Sequence, residues 1–236
     1  MSDTFWALVP AAGVGRRMGA AIPKQYLPLA GSTVLDLSLQ RLLEHPRIQG
    51  LYLALSADDE WWPGSRFAAD SRVQRVDGGA ERCHSVLNAL QALSQQAETD
   101  AWVLVHDAAR PCLRPADLDA LIAAAATCPD GALLGLPVRD TMKRSDEQGQ
   151  IRQTVERNRL WHAFTPQMFR LGPLYQALRQ ALEQGQLVTD EASAMELAGY
   201  RPQLIEGHAD NLKITRPEDL ALAAFYLQRQ EEGRCA

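Results

Sequence analysis

The chain has 236 residues, of which 46% are hydrophobic and 22% are charged, and its formal net charge at pH 7 is −5. This composition is typical of a globular protein with one sizeable core, and it excludes collagen, coiled coils, disulfide scaffolds and disordered tails. The negative net charge provides no global basic field for DNA or RNA, although it is compatible with a local anion site. We therefore expect no nucleic-acid partner.

Cysteine spacing and hydropathy indicate the compartment. The four cysteines, at positions 83, 112, 128 and 235, are too far apart to form a CxxC pair. Reduced, mostly structural thiols of a cytosolic protein are the favoured interpretation. No apolar run reaches the roughly 18 residues of a membrane span, and the first residues lack the basic stretch and apolar core of a secretion signal. We expect a cytoplasmic protein that makes no membrane contact.

Short apolar runs alternate with helical stripes along the chain. The first run, Phe5–Pro10, is typical of a strand that is buried on both faces of a parallel sheet. Further strands are predicted at 48–55, 73–76, 101–105, 132–138 and 202–206, with a short extended piece at 212–215. Apolar stripes predict helices around 35–43, 86–93, 118–125, 174–182 and 220–227, and Pro115 suits the first turn of the third. This alternation predicts an α/β protein with an open, mostly parallel, Rossmann-like sheet.

The region from about 139 to 159 interrupts this alternation. It is polar and charged, and Gly149 lies in a turn-like stretch that precedes Ile151, Thr154 and Val155, which are compatible with a return strand. A plain surface loop or hairpin and an arm that reaches a partner both remain open on these residues. We predict a single domain, 1–236, with an inserted β-arm at about 139–159.

A glycine-rich loop follows the first strand. Residues 9–19 read VPAAGVGRRMG, and Arg16, Arg17 and the nearby Lys24 concentrate positive charge around three glycines. Glycines let backbone N–H groups approach a phosphate closely. In an open α/β sheet, ligands bind beyond the carboxyl ends of the strands, where this loop is expected. The loop is therefore predicted to bind phosphate; the alternative is a tight turn with solvated basic side chains.

Two familiar phosphate loops do not match this segment. A Walker A loop requires Lys and then Ser or Thr after its last glycine, but Ala20 follows Gly19. A dinucleotide fingerprint requires a third glycine where Met18 stands. The segment therefore indicates neither a P-loop NTPase nor a dinucleotide-dependent enzyme.

Distinctive segments occur along almost the whole chain. They are PAAGVGRRM with PKQY near the start, VDGGAERCHSV (76–86), LVHDAARP (104–111), PVRDTMKR (137–144), TVERN and AFTPQ (within 154–167), TDEASAME (189–196) and DNLKITRPEDL (210–220). With these segments the chain resembles the 2-C-methyl-D-erythritol 4-phosphate cytidylyltransferase family of the non-mevalonate isoprenoid pathway. One departure is His84, where that family usually has an acid. The resemblance implies a nucleotidyltransferase-type fold and transfer of CMP from CTP to the substrate phosphate, releasing pyrophosphate.

The resemblance also implies a set of site residues. The substrate phosphate attacks the α-phosphate of CTP in line, and the chemistry needs positioning, positive charge and Mg²⁺ or another divalent cation on the triphosphate. The implied catalytic residues are Arg17, Lys24, Arg157 and Lys213. Those implied to bind CTP are Pro10, Ala11, Ala12, Gly13, Gly15, Gly79, Ala80, Ser85, Asp107 and Ala108. Those implied to bind the substrate are Asp107, Arg110, Thr141, Arg157, Thr165, Thr189 and Lys213.

Some of these residues have open alternatives. Asp107 ends a buried strand and is the candidate to bind Mg²⁺ directly or through water, but it is also a candidate helix cap or partner of Arg110. Ser85 is expected to contact the base or to cap the following helix. The family's homodimer implies that the arm delivers Thr141 and Arg157 to a second subunit. Two other functions remain open: a related alditol-phosphate cytidylyltransferase acting on ribitol 5-phosphate, and a CTP-binding regulator without catalysis.

Overall fold

The computed structural model describes residues 4–13 and 22–234. Its strands are β1 (Phe5–Pro10), β2 (Pro28–Leu29), β3 (Ser32–Thr33), β4 (Ile48–Leu55), β5 (Val73–Asp77), β6 (Trp102–Val105), β7 (Ala132–Pro137), β8 (Met142–Ser145), β9 (Ile151–Val155), β10 (Trp161–Arg170) and β11 (Gln203–Glu206). Its helices are α1 (Val34–Leu43), α2 (Arg82–Leu93), α3 (Pro115–Ala124), α4 (Leu171–Glu183), α5 (Glu191–Leu197) and α6 (Glu218–Arg234). Among the described helices, none combines the length and the apolarity needed to cross a membrane.

The main sheet has seven strands in the order β11-β7-β10-β6-β1-β4-β5. Strands β6, β1, β4 and β5 pair in parallel, as do β7 and β11, whereas β10 runs antiparallel to both of its neighbours. The predicted α/β fold with a mostly parallel sheet is therefore confirmed. Because β1 and β6 are parallel neighbours, the loops that follow them meet at one edge of the sheet.

The central strands bury both of their faces. Ala7 and Val9 of β1 pack in one apolar cluster with leucines of α1 and α3, while Leu8 between them belongs to a second cluster with residues of α2, α4 and α5. Successive side chains of a strand point to opposite faces, so an uninterrupted apolar run needs helices on both sides. These helices hold the strand ends, and the loops after them, in fixed positions.

Among the longer elements, β10 and α5 were not predicted from the sequence, and the two-residue strands β2 and β3 were not predicted either. Strand β10 contains Pro166, which cannot donate to a strand ladder, so its sequence does not have the pattern of a central strand. The pairing of β10 with β7 shifts register between Ala163 and Gln167, and the irregularity accommodates the proline.

Residues 212–215, predicted as a short extended piece, do not form a strand. The N–H of Ile214 donates one hydrogen bond to the carbonyl of Ala109.

The region that interrupts the alternation is a hairpin. Strands β8 and β9 pair antiparallel in a separate two-stranded sheet, and Val138 N–H donates to the carbonyl of Leu160 where the hairpin leaves the main sheet. Its side chains are largely exposed, including Ile151 at 66% and Met142 at 37%. The interpretation as a dimerisation arm inserted into a single domain stays a prediction.

Candidate active site

A pocket opens at the carboxyl ends of β1 and β6. Its walls are the loop after β1, the turn before α2, the segment after β6, and side chains from two further loops. Gln25, Glu81, Arg82 and Ala109, which were not predicted as site residues, also line it. The predicted residues that the structure brings together in its lining are Pro10, Ala11, Ala12, Gly13, Lys24, Gly79, Ala80, Ser85, Asp107, Ala108 and Lys213.

Other predicted residues are not in this lining. Gly15 and Arg17 lie outside the described residues. Thr141 and Arg157 are exposed in or beside the hairpin, where Arg157 donates to the backbone carbonyl of Arg139. Thr189 is exposed before α5 and lines a separate shallow depression. Within one chain, then, the hairpin residues and Thr189 are not part of the pocket.

Asp107 is the centre of the pocket's electrostatics. Its Oδ1 accepts from Nε of Arg82 at 3.0 Å, and its Oδ2 lies 2.8 Å from Nζ of Lys213 and 3.7 Å from Nε of Arg110. Burial alone would raise the pKa of this carboxyl, but the positive charges of Arg82 and Lys213 outweigh burial and hold the pKa below its ordinary value. Asp107 is therefore ionised at neutral pH. Three cationic side chains surround this carboxylate, and Arg82 also pairs with Glu191, so three positive charges face two negative ones and the cluster keeps one positive charge in excess.

Arg82 joins Asp107 to a second carboxylate behind the pocket. Its Nη1 and Nη2 donate to the two oxygens of Glu191 at 2.6 and 3.0 Å, and Glu191 is almost completely buried. Burial disfavours the charged guanidinium, yet the two carboxylates compensate for it and raise the pKa of Arg82. Neither residue was predicted as a site residue, although both lie in the quoted segments GGAERCHSV and TDEASAME.

A hydrogen-bond chain orients the segment that carries Asp107. The N–H of Asp107 donates to Oγ1 of Thr165 at 3.0 Å, and that oxygen lies 3.1 Å from Nδ1 of His106. Nε2 of His106 lies 3.0 Å from the carbonyl of Arg110, which can only accept, so the proton is on Nε2 and Nδ1 accepts from Thr165. Burial lowers the pKa of His106 to about 4, so the ring is neutral. The hydroxyl of Thr165, predicted to contact substrate, is engaged within the protein.

Arg110 anchors the loop of Lys213. It is buried, its Nη1 donates to the carbonyl of Asn211 at 2.6 Å, and its guanidinium lies over the ring of Phe164. Burial lowers its pKa, and the nearby Asp107 acts in the opposite direction. Lys24 reaches the same loop, since its Nζ donates to the carbonyl of Ile214 at 3.4 Å. The two lysines of the pocket are thus held by one loop.

The turn before α2 packs closely against the loop after β1. A Cβ at Gly78 would lie 2.3 Å from Cβ of Ala12, a separation that no real pair of such atoms tolerates. A Cβ at Gly79 would lie equally close to Cβ of His84. Glycine is therefore required at position 78 for the two loops to meet in the pocket, and at position 79 for the turn to pack against the first turn of α2.

The structure explains how His84 fits at a position where the family usually has an acid. Helix α2 has a capping box in which the Glu81 side chain accepts from the backbone of His84, and Nδ1 of His84 accepts from Glu81 N–H at 3.3 Å. The imidazole supplies the acceptor that an acid would supply at this position. The N-cap is Glu81 and not Ser85, whose Oγ instead accepts from the N–H of Gly79 at 3.0 Å.

The donor set is compatible with a metal held mainly by phosphate. In the part of the chain that the structure describes, no group of three or more His, Cys, Asp or Glu side chains is arranged to hold a metal ion. Mg²⁺, however, commonly binds through one or two carboxylates together with substrate phosphates and water. Asp107 is ionised and lines the pocket, so it fits as such a ligand, but its Oδ2 also contacts Lys213.

Known proteins with sequences similar to this chain are cytidylyltransferases. A sequence model of the 2-C-methyl-D-erythritol 4-phosphate cytidylyltransferase family matches residues 5–229. A protein of that name from Aeromonas hydrophila is 59% identical over 95% of this chain and 90% of its own length. Another, from Pseudomonas aeruginosa, is 58% identical over 92% of this chain and 93% of its own length.

Solved structures agree with this similarity. A 2-C-methyl-D-erythritol 4-phosphate cytidylyltransferase from Francisella tularensis superimposes with a TM-score of 0.84 at 32% identity, covering 95% of this chain and all of the other. A 4-diphosphocytidyl-2C-methyl-D-erythritol synthase superimposes with a TM-score of 0.83 at 37% identity, covering 96% of this chain and 99% of the other. Since family sequence and fold match over nearly the whole chain, and the pocket lies where the quoted segments meet, this chain belongs to the 2-C-methyl-D-erythritol 4-phosphate cytidylyltransferase family.

Proposed function

We infer that this chain transfers CMP from CTP to 2-C-methyl-D-erythritol 4-phosphate and releases pyrophosphate, as its family does in the non-mevalonate pathway. The observation that carries the proposal on the structure is the convergence of Lys24, Lys213 and Asp107 on one pocket at the carboxyl ends of β1 and β6. An anion-binding pocket at this edge of the sheet is suited to bind a nucleoside triphosphate.

The loop after β1 and the turn before α2 are proposed to bind CTP. The residues of the proposed CTP site are Pro10, Ala11, Ala12, Gly13, Gly15, Gly79, Ala80, Ser85, Asp107 and Ala108. Backbone carbonyls and a hydroxyl accept from the exocyclic amino group of cytosine, whereas uracil presents an oxygen there. A site that hydrogen-bonds one group discriminates strongly against an analogue lacking it.

The reaction needs positive charge more than it needs a base. A phosphate monoester is already anionic near pH 7, so attack on the α-phosphorus of CTP requires no general base. The buried, neutral His106 supports the loop and has no proton-transfer task in this scheme. We assign Arg17 and Lys24 to stabilising the charge that develops on the α-phosphate during in-line displacement.

Lys213 and Arg157 are proposed to hold the substrate phosphate. The other residues of the proposed substrate site are Asp107, Arg110, Thr141, Thr165 and Thr189. Of these, Thr165 and Arg110 act through the loops that they hold in place. Because Arg157 is exposed at the base of the hairpin and does not line its own chain's pocket, we propose that a homodimer brings it to the neighbouring subunit. The exposed Ile151 and Met142 are suited to contact that subunit.

We propose Mg²⁺ as the divalent cation and Asp107 as its protein ligand, direct or through water. When bound, the cation neutralises charge on the triphosphate and helps to align it. We also propose that the enzyme works in the cytoplasm, because its cysteines at 83, 112 and 128 are free and buried, as in proteins of reducing compartments.

A pyrophosphate-release assay tests this function. The purified protein is incubated with CTP and either methylerythritol phosphate or ribitol 5-phosphate, and the first is repeated with UTP in place of CTP. We expect turnover with CTP and methylerythritol phosphate, and a kcat/KM for UTP lower by about a hundredfold or more. Turnover with ribitol 5-phosphate alone would indicate the related cytidylyltransferase, and CTP binding without pyrophosphate release would indicate a regulator.

A further inference from the structure

Glu191 is a buried carboxylate that does not line the pocket. It begins α5, and both of its oxygens accept from the guanidinium of Arg82, at 2.6 and 3.0 Å. A carboxylate this deeply buried is costly unless it is paired and hydrogen-bonded. The bidentate pair satisfies Glu191, and it also fixes the plane of the Arg82 guanidinium.

The same guanidinium has a third contact, which leads into the pocket. Its Nε donates to Oδ1 of Asp107 at 3.0 Å, and Oδ2 of Asp107 lies 2.8 Å from Nζ of Lys213. Charges therefore alternate along a line from the buried Glu191, through Arg82 and Asp107, to Lys213. The two ends differ most in exposure, with Glu191 at 1% and Lys213 at 39%, while Arg82 and Asp107 between them are partly buried.

We propose that Glu191 is a positioning residue for the substrate-phosphate site. It holds Arg82 in the orientation in which Nε reaches Asp107, and the held Asp107 in turn directs the ammonium group of Lys213. This inference rests on the roles proposed above for Asp107 and Lys213. It adds a residue that contacts neither substrate.

The geometry explains why the negative charge of Glu191 matters. An arginine presents its donors in a rigid fork, so one guanidinium bridges two carboxylates only when both are fixed on different edges. Without the charge of Glu191, the fork is free to turn toward Asp107 and take both of its oxygens, or to turn toward a bound phosphate. The first change takes from Lys213 the oxygen that it contacts, and the second leaves Asp107, and with it Lys213, without a fixed orientation.

Steady-state kinetics of Glu191→Gln, Arg82→Lys and a control variant test this proposal. Glu191→Gln preserves the side-chain size but removes the charge, and Arg82→Lys keeps the charge but cannot bridge two carboxylates. Asp36→Asn is the control, because Asp36 is a buried carboxylate whose partner, Ser65 at 2.5 Å, lies outside the pocket lining. Thermal unfolding reports how much each change costs in stability alone.

We expect Glu191→Gln and Arg82→Lys each to raise the KM for methylerythritol phosphate about tenfold, because coupling of this size is usual within one ion-pair network. The KM for CTP is expected to change much less. Asp36→Asn lowers the melting temperature without this split between the two KM values. A KM for methylerythritol phosphate within about twofold of wild type in a folded Glu191→Gln would overturn the proposal. If Glu191→Gln does not fold, the same result in Arg82→Lys would overturn it.

A double-mutant cycle separates this proposal from the one on which it rests. Asp107→Asn alone tests the role of Asp107, and we expect it to raise the KM for methylerythritol phosphate. Adding Arg82→Lys to Asp107→Asn is expected to change that KM by no more than about twofold, because both act through the same contact. Effects that multiply would contradict the relay, whereas an unchanged KM in Asp107→Asn alone would contradict the proposed role of Asp107.

Discussion

The ammonium group of Lys213 lies 2.8 Å from Oδ2 of Asp107. Two residues that the resemblance assigns to the same substrate thus neutralise each other before any substrate is bound. A phosphate that binds Lys213 has to share it with a carboxylate, so the remaining cations of the pocket must supply the excess positive charge. Lys24, on the loop after β1, supplies part of that charge.

The charge of Lys24 is expected to act in the transition state. We predict that Lys24→Ala lowers kcat by about a hundredfold to a thousandfold, since losing one donor to developing charge typically costs about 3–4 kcal/mol, while the KM for CTP rises much less. Arg17→Ala is expected to behave alike. Steady-state kinetics with varied CTP measure both parameters. A near-normal kcat in either variant would remove that residue from the catalytic set.

The hairpin is expected to complete the neighbouring subunit's site. We predict that coexpressed Lys24→Ala and Arg157→Ala chains, each inactive alone, regain activity when mixed. One site of each mixed dimer carries both changes and the other carries none. A random mixture therefore recovers roughly a quarter of wild-type activity, since half of its dimers are mixed.

The mixed dimers themselves provide the control for this experiment. Differently tagged chains allow the mixed species to be purified and its composition checked. Background activity in a verified mixed dimer would mean that Arg157 does not act across the interface.

Stability is expected to depend on pH through His106. Its pKa is about 4 in the folded protein against 6.5 for an unperturbed histidine, so the unfolded state takes up the proton first as the pH falls. The stability that the neutral ring contributes is fully present above pH 6.5 and is lost between pH 6.5 and 4, amounting to about 3 kcal/mol. Denaturant unfolding of wild type and His106→Gln at pH 7, 5.5 and 4 measures this contribution to stability. We expect a shallower decline in the variant, and parallel declines would contradict the assignment.

Close packing at Gly78 is expected to be necessary for CTP binding. A methyl group there meets Ala12 at 2.3 Å, so Gly78→Ala must push the loop after β1 away from the turn before α2. We predict a KM for CTP raised about tenfold and a loss of about 1–3 kcal/mol in stability, the usual cost of overpacking. Gly64→Ala is the matched control, because among the described residues no atom beyond its chain neighbours lies within 4 Å of the added methyl. Similar KM values for both variants would show that the approach of the two loops is not needed.

The sequence alone determined the elements whose chemistry is local. Apolar runs predicted both ends of β1 and of β4 correctly, because a strand buried on both faces is apolar at nearly every position. Pro115 marked the start of α3, since its missing N–H costs nothing there. The motifs likewise identified the family and most of the residues that line the pocket, because the loops after β1 and β6 and the turn before α2 are continuous in sequence.

Tertiary structure alone decided the features that join distant segments. Strand β10 is antiparallel in the middle of the sheet, and it could not be predicted from the sequence because Pro166 interrupts its strand pattern. Arg82 and Glu191 meet only because α2 and α5 begin side by side, and a charged pair carries no periodic signal in the chain. Thr165 supports Asp107 from behind for the same reason: hydrogen-bond partners of a buried loop are selected by the fold and not by their spacing in sequence.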